Sequence, residues 1–257
     1  MRVLGRALKQ QGEPIPLPWA EIPIKPAAGD VVLVTAGPGA GKSFIALNWA
    51  VDLAQRGMPV LVISTDTDYS DQAVRVGALL SGKSSDVIEA DRVFWAEWLH
   101  EQTELPIRWS ELALATDQIQ EFIRAEIEFL GEAPKLIVVD VLTDMLGVNE
   151  ENVGEIRRVV RELKKAAKKF RTTVLLLHHV KRGKAANGTS TVTLQDGLYG
   201  GEQDSPIVLG LWRPGAEVMT VAVLKNRRGI ANADGFMTFE LRADLAHARI
   251  VSRRAAW

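Results

Sequence analysis

The chain has no cysteine among its 257 residues and no long apolar run. The missing cysteine excludes disulfides and thiolate metal sites, and it favours a cytoplasmic location. No stretch approaches the ~20 apolar residues of a membrane span, and residues 1–30 lack the apolar segment of a secretion signal. The net charge of −1 excludes a protein that is basic over its whole surface.

The composition is otherwise that of a globular protein, with 47% hydrophobic and 25% charged residues. A chain of this length suits one α/β domain that needs no covalent staple. Charge is unevenly distributed, however, because residues 157–184 hold eleven Lys or Arg and a single acid, Glu162. The sequence therefore indicates a local basic face.

The most informative motif is A-G-P-G-A-G-K-S at residues 36–43, directly after the apolar run 31–34. It follows the pattern G-x-x-x-x-G-K-[ST] with alanine in the first place, and a helix over 43–55 adds its N-terminal dipole. Lys42 is placed for the β- and γ-phosphates, and we expect its side chain to be solvated without ligand. A glycine-rich turn with an incidental lysine is the simpler explanation. The predicted nucleotide-binding residues are Ala36, Gly37, Pro38, Gly39, Ala40, Gly41, Lys42, Ser43 and Phe44.

Hydrophobic patterning divides the chain into a proline-rich extended lead-in, residues 1–29, and a core, residues 30–257. Strands and helices alternate through residue 177, which predicts a parallel sheet with helices on both faces. Mostly antiparallel strands follow. The predicted helices are 43–55, 68–80, 117–130 and 152–170. The predicted strands are 31–34, 59–65, 136–140, 172–177, 207–212, 218–224, 237–241 and 247–251, with less regular strands or turns at 92–98 and 105–109.

Acidic residues follow two of the buried strands. Asp140 ends the third strand, where a carboxylate holds Mg²⁺ through water, so Ser43 and Asp140 are the predicted metal ligands. A carboxylate that merely caps a strand end is the simpler explanation. Asp66 follows the second strand and is the candidate that orients or deprotonates the attacking water. Asp68 and Asp71 stand at a predicted helix start, where N-capping accounts for them.

Polar residues also end two later strands. The fourth strand ends in two histidines, and we take His179 as a candidate that reports the γ-phosphate; a structural histidine pair is the other explanation. The strand 218–224 ends in the basic tip 225–229. Such a tip is commonly only solvated, but an arginine here can instead act in trans on a neighbour's γ-phosphate and stabilise the charge of the transition state.

Together these segments resemble the DnaB/RecA branch of P-loop ATPases, from about Gly29 to about Gly229. The stretch 64–75 is similar to the family segment with the catalytic glutamate and a later arginine, and Asp66 replaces that glutamate. The stretch 177–183 looks more like plasmid RepA-type hexameric helicases, with their paired histidines. Lys225 and Arg227 fall on the Lys-x-Arg motif that acts in trans in the resembled family. The resemblance implies a RecA-like P-loop NTPase fold, with a mainly parallel twisted sheet and an antiparallel C-terminal extension.

The resemblance further implies ATP and Mg²⁺ as cofactors, a homo-oligomeric ring or filament, and single-stranded DNA as a partner. The stretch 181–198 has no aromatic residue for base stacking, and a plain surface loop is its simpler explanation. We name its first part, residues 181–187, the basic stretch. Its phosphate-contacting candidates are Lys181, Arg182, Lys184 and Asn187.

We therefore expect a DNA-dependent ATPase that works as a helicase or as a strand-exchange factor, similar to phage-encoded recombinases. Two other functions stay open at this point. One is a metal-dependent nuclease that uses the carboxylates of Asp66, Asp68, Asp71 and Asp140. The other is a KaiC-like regulatory ATPase that does not contact nucleic acid.

Overall fold

The computed structural model describes residues 14–102, 104–142, 145, 152–180, 188–196 and 201–253. Three of the central strands are short, almost wholly apolar runs that are fully buried. The strands in these residues are β1 (Val31–Ala36), β2 (Val60–Ser64), β3 (Ile107–Ser110), β4 (Leu136–Asp140), β5 (Thr173–His179), β6 (Ile207–Gly215), β7 (Val218–Asn226), β8 (Thr238–Asp244) and β9 (Arg249–Ser252).

Helices alternate with the first five strands, as the sequence pattern predicts. Asp68 is an N-cap, as predicted, and Asn152 also accepts backbone N–H groups at a helix N-terminus. Gly82 and Gly131 adopt the left-handed conformation at two C-termini. The helices in the described residues are α1 (Lys42–Gln55), α2 (Tyr69–Ser81), α3 (Ser85–Ala90), α4 (Arg92–Gln102), α5 (Ile119–Leu130), α6 (Val153–Phe170) and α7 (Gly201–Asp204).

The nine strands form one sheet in the order β3-β2-β4-β5-β1-β6-β7-β8-β9. The six strands β3, β2, β4, β5, β1 and β6 run parallel to one another. From β6 onward each strand is antiparallel to the next, through β7 and β8 to β9. The predicted α/β fold with a parallel sheet and an antiparallel C-terminal extension is confirmed. Because strand β5 separates β1 from β4, the carboxyl ends of these three strands lie side by side at one edge of the sheet.

The core lies on both faces of this sheet. In β1, Val32 and Val34 pack with α1 on one face, whereas Val31 and Leu33 pack with α5 and α6 on the other. Alternate residues of a strand point to opposite faces, so a strand buried on both sides must be apolar throughout. The continuous run of β1 has this property.

The prediction of a short strand or turn at residues 92–98 is wrong. This segment begins helix α4, and α3 precedes it as a second helix that we did not predict. The Asp91 carboxylate accepts the Phe94 N–H at 3.1 Å, an N-terminal capping contact, and Trp95 packs against α1 and α2. Capping and packing therefore outweigh the strand preference of the aromatic residues here.

The described part of the lead-in, from residue 14, runs alongside the sheet. Trp19 is buried, and its indole N–H donates to the Ile250 carbonyl at 2.9 Å, which fixes the lead-in to edge strand β9. The Asn48 side chain joins α1 to the same strand by accepting the Ile250 N–H at 2.9 Å. A search of the described helices finds none with the length and apolarity needed to cross a bilayer.

Candidate functional site

The phosphate loop, residues 36–43, leaves the carboxyl end of β1 and enters α1. Gly39 and Gly41 have positive φ angles of 72° and 96°, which glycine adopts without strain. A Cβ on Gly41 would also lie 2.5 Å from the Met219 methyl group, so a larger residue would have to displace that side chain. The strand register places Ala36 beside His179 on β5. The predicted loop residues therefore lie together at one edge of the sheet.

Lys42 is buried, contrary to the expectation of a solvated side chain. Its ammonium group donates to the carbonyls of Ala36 and Gly37 at 3.5 and 3.3 Å and lies 3.2 Å from Nδ1 of His179. An ammonium has no acceptor, so Nδ1 must be the acceptor in this pair. Burial lowers the pKa of Lys42, while the charges of Asp140 and Asp66 oppose that shift.

Asp140 ends β4 and is almost fully buried. Burial raises the pKa of its carboxyl group, and a hydrogen bond with the Ser43 side chain opposes this shift. A buried carboxylate beside a hydroxyl offers oxygen ligands and a charge that a cation would stabilise, which suits Mg²⁺. The two predicted metal ligands thus lie together, next to the Lys42 ammonium.

Asp66 is exposed in the bend after β2, and its charge acts on both Lys42 and Asp140. Asp68 instead accepts the Asp71 N–H at 2.8 Å as the N-cap of α2. Among the described residues no group of three or more His, Cys, Asp or Glu side chains is placed to share a metal ion. These carboxylates therefore offer no multi-carboxylate metal cluster within that part of the chain.

Arg75 is a site residue that our reasoning from the sequence did not select. Its guanidinium lies 5.1 Å from the centre of the Phe44 ring and donates to the Thr67 hydroxyl at 3.4 Å. Its charge also opposes the raised pKa of Asp140. A signal was present, since Arg75 falls on the later arginine of the resembled family segment. It adds a second cation from the same chain to the phosphate site.

The two histidines face opposite sides of β5. His178 is buried and pairs in register with Thr35, while His179 is partly exposed and faces the phosphate loop. The next residue, Val180, donates its N–H to the Ala36 carbonyl at 3.1 Å. His179 is therefore the histidine that contacts the predicted nucleotide site.

Lys225 and Arg227 lie at the amino ends of the parallel strands, whereas the phosphate loop lies at their carboxyl ends. Ile207 pairs with Val32 on one side and with Asn226 on the other, so Asn226 lies level with Val32 along the strand direction. The phosphate loop begins at Ala36, four residues further along β1. At about 3.3 Å per residue, Asn226 and the start of the loop are therefore separated by about 13 Å along the strands. Each cation donates to main-chain carbonyls of α7: Lys225 to Glu202 and Gln203, and Arg227 to Gln203 at 3.2 Å. These two candidates do not join the site of their own chain.

The sequence alone did not indicate this support by α7. Burial, followed by the positive charge of Arg227, lowers the pKa of Lys225. Arg228, the next residue after Arg227, instead pairs with the buried Asp30 carboxylate. The four candidates of the basic stretch, Lys181, Arg182, Lys184 and Asn187, lie outside the described residues, so their prediction stays a prediction.

The site thus combines a glycine-rich anion cradle, a buried lysine, a hydroxyl–carboxylate pair and an exposed carboxylate. Oriented loop N–H groups and the α1 dipole bind phosphate. The carboxylate and the cations supply the groups that phosphoryl transfer to water requires.

Comparison with known protein families agrees with this geometry. Residues 9–185 match the family described as an AAA domain. The Gene 65 protein of Mycobacterium phage L5 is 29% identical over 241 residues, which is 87% of each chain. The replicative DNA helicase DnaB of Nostoc sp. is 25% identical over 212 residues, 79% of this chain but 24% of that helicase.

Solved structures give the same fold. One ATPase domain superposes with a TM-score of 0.80 over 98% of this chain and 96% of that domain, at 18% sequence identity. A DnaB-like replicative helicase superposes with a TM-score of 0.79 over 98% of this chain and 65% of that helicase, also at 18% identity. The similarity therefore extends over the antiparallel strands β7 to β9 as well as the parallel sheet.

Proposed function

Because the chain belongs to the AAA domain family and has a RecA/DnaB-type P-loop ATPase core, we propose that it is a Mg²⁺-dependent ATPase that acts on single-stranded DNA. Its work is that of a DnaB-like helicase or a RecA-like recombinase. The relative named as a replicative DNA helicase supports a role in DNA replication.

The observation that carries the proposal is the convergence of three strand ends on one phosphate loop. Lys42 lies against His179 of β5, and Ser43 bonds to Asp140 of β4. Asp66, from the end of β2, is close enough for its charge to act on both Lys42 and Asp140. A glycine-rich turn with an incidental lysine requires none of these partners.

The residues divide the chemistry of water attack on the γ-phosphate. Lys42 neutralises charge on the β- and γ-phosphates, and Asp66 orients the attacking water and accepts its proton. Asp66 is exposed and so accessible to that water. Mg²⁺ that arrives with ATP would be held by Ser43 and Asp140 and would supply charge neutralisation at the phosphates.

His179 responds to ATP through Lys42. Its Nδ1 accepts from the Lys42 ammonium at 3.2 Å. When that ammonium turns to the phosphates, its hydrogen bond to His179 breaks, and the imidazole beside the phosphate loop changes its contacts. Because Val180 is bonded to the start of the phosphate loop, this change occurs directly before the basic stretch. A γ-phosphate signal thus has a short path to the predicted DNA contacts.

Arg227 acts in trans. Its position at the far edge of the sheet, about 13 Å or more from the loop by strand rise, keeps it from its own phosphate site. The carbonyls of α7 hold Lys225 and Arg227 at this edge, where a neighbouring chain can approach. Head-to-tail contacts of this kind generate rings or filaments, so the active form is a homo-oligomer.

The test is ATP hydrolysis by the whole chain with and without single-stranded DNA. We expect Mg²⁺-dependent hydrolysis that DNA stimulates, and Lys42→Ala should largely abolish it. Lys83→Ala, a change of an exposed lysine between α2 and α3, is the matched control and should hydrolyse ATP at the parent rate.

Each contrary result selects another function. Activity of Lys42→Ala near the parent rate would refute the site. Hydrolysis that DNA does not alter would favour the regulatory ATPase, and metal-dependent DNA cleavage without ATP would favour the nuclease.

A further inference from the structure

The bend that carries Asp66, residues 64–67, is buried at both ends and exposed at its tip. Ser64 and Thr67 are 2% and 8% exposed, whereas Asp66 between them faces solvent. The Ser64 hydroxyl donates to the Thr67 carbonyl at 3.3 Å and closes the bend across its base. The position of the Asp66 carboxylate therefore depends on what fixes this base.

Strand β4 fixes the bend on one side. The Thr65 N–H donates to the Asp140 carbonyl at 2.8 Å, which continues the pairing of β2 with β4 by one residue beyond Ser64. The charge of Asp66 acts on both Lys42 and Asp140, so the tip of the bend lies close to the phosphate site.

Helix α2 holds the bend from the other side, through Gln72. This side chain is 7% exposed, and its amide Nε2 donates to the Ser64 hydroxyl oxygen at 3.2 Å. Because the single hydroxyl hydrogen of Ser64 is donated to Thr67, the Ser64 oxygen must be the acceptor toward Gln72. We call these two hydrogen bonds, from Gln72 to Ser64 and from Ser64 to Thr67, the Gln72 relay. Arg75 of the same helix supports its end by donating to the Thr67 hydroxyl.

Packing alone does not require an amide at this position. The neighbouring buried residues of α2, Val74 and Ala78, pack as ordinary apolar side chains. Burying an amide costs free energy unless hydrogen bonds compensate for the lost water, and a leucine of similar size has no such cost. What the amide adds is a directed hydrogen bond to the Ser64 hydroxyl.

We propose that Gln72 is a positioning residue for ATP hydrolysis, which holds the bend 64–67 through the Ser64 hydroxyl and so keeps the Asp66 carboxylate beside the phosphate loop. Its role in hydrolysis rests on the proposed function, whereas the attachment of the bend to α2 does not. Gln72 is buried beneath the bend and acts only through it. Its loss should therefore slow the attack of water and leave ATP binding intact.

The test is steady-state ATP hydrolysis by the whole chain, arranged as a double-mutant cycle. Gln72→Leu removes the amide and keeps the approximate size of the side chain. The matched control is Gln55→Leu, the same substitution at the exposed last residue of α1. Asp66→Asn is the second background, because a residue that acts through the Asp66 carboxylate has nothing left to position there.

We expect Gln72→Leu to lower kcat by about tenfold to 100-fold, since a small misplacement of a catalytic group has effects of that size. KM for ATP should stay within about twofold, as for an interaction that counts only in the transition state. Gln55→Leu should match the parent in both. Adding Gln72→Leu to Asp66→Asn should lower kcat no further. A parent-like kcat in Gln72→Leu would overturn the proposal, and so would a further loss of similar size in the Asp66→Asn background.

Amide hydrogen exchange tests the attachment of the bend without relying on hydrolysis. The Thr65 N–H should exchange faster in Gln72→Leu than in Gln55→Leu, and equal rates would refute the attachment. If the parent does not hydrolyse ATP, or if Asp66→Asn does so at the parent rate, the proposed function fails at that point. The exchange rate of Thr65 still decides whether Gln72 holds the bend.

A second variant covers the case in which Gln72→Leu does not fold. Ser64→Ala removes the middle of the Gln72 relay and should give the same loss of kcat with KM unchanged. A parent-like kcat in Ser64→Ala would show that the relay does not position Asp66.

Discussion

Arg227→Ala tests whether the active site is shared between chains. Arg227 makes its side-chain contact with the Gln203 carbonyl, at the edge of the sheet away from its own phosphate loop. The substitution should therefore leave ATP affinity unchanged. Turnover should fall by ~10³-fold or more if the arginine stabilises transition-state charge in a neighbour.

The magnitude after mixing follows from the same geometry. Lys42→Ala has an intact Arg227, and Arg227→Ala has an intact phosphate loop. In an equal mixture that exchanges subunits, about a quarter of the head-to-tail interfaces combine both intact parts. Two nearly inactive variants should therefore recover up to about a quarter of parent activity when mixed.

The assay is steady-state ATP hydrolysis against mixing ratio, with co-assembly shown by labelled chains. Arg228→Ala is the neighbouring comparison and should keep its turnover. It should, however, lower the free energy of unfolding by about 1–3 kcal/mol, because the buried Asp30 carboxylate loses its cationic partner and keeps the Ala27 N–H. If Arg227→Ala is inactive and mixing restores nothing despite co-assembly, the arginine acts within its own chain and the shared site is refuted.

Three further predictions concern the carboxylates and the basic stretch. Asp66→Asn should bind ATP but lose at least ~10²-fold in turnover, whereas Asp68→Asn should be mild in the same assay; equal losses would contradict the assigned roles. Neutralising Lys181, Arg182 and Lys184 together should weaken single-stranded DNA binding for all sequences alike. The slope of log affinity against log salt concentration should become shallower by roughly 0.7 per lost phosphate contact. An unchanged slope would mean that DNA binds elsewhere. Burial raises the pKa of Asp140, so its contribution to stability is lost as pH rises through that pKa. Asp140→Asn without ligand should therefore be more stable to urea than the parent at neutral pH, by about 0.5–2 kcal/mol, with the gain shrinking in acid; a less stable variant at every pH would oppose this.

Local signals predicted much of the fold. The strand Leu136–Asp140 has the predicted bounds, and the helix Val153–Phe170 begins one residue after the predicted start and ends at the predicted residue. Each is a strong local pattern, an unbroken apolar run or a capped amphipathic stretch, that does not depend on distant contacts. The segment 92–98 was misread because its aromatic residues favour strands, while the Asp91 cap and the packing of Trp95 that determine its helix are weaker signals.

The sequence by itself determined the phosphate loop, since its chemistry lies within eight consecutive residues, and it identified Asp140 as the acid at a strand end. It did not determine which distant residues complete the site or which are kept away from it. The order of strands in the sheet decided that His179 meets Lys42, and the packing of α2 against α1 decided that Arg75 reaches Phe44. Because β7 runs antiparallel to β6, Arg227 at its end lies on the side of the sheet away from the phosphate loop. Neighbouring residues in the sequence determine local conformation. Contacts between the ends of different strands depend instead on strand register and burial, which are established only when the whole core packs.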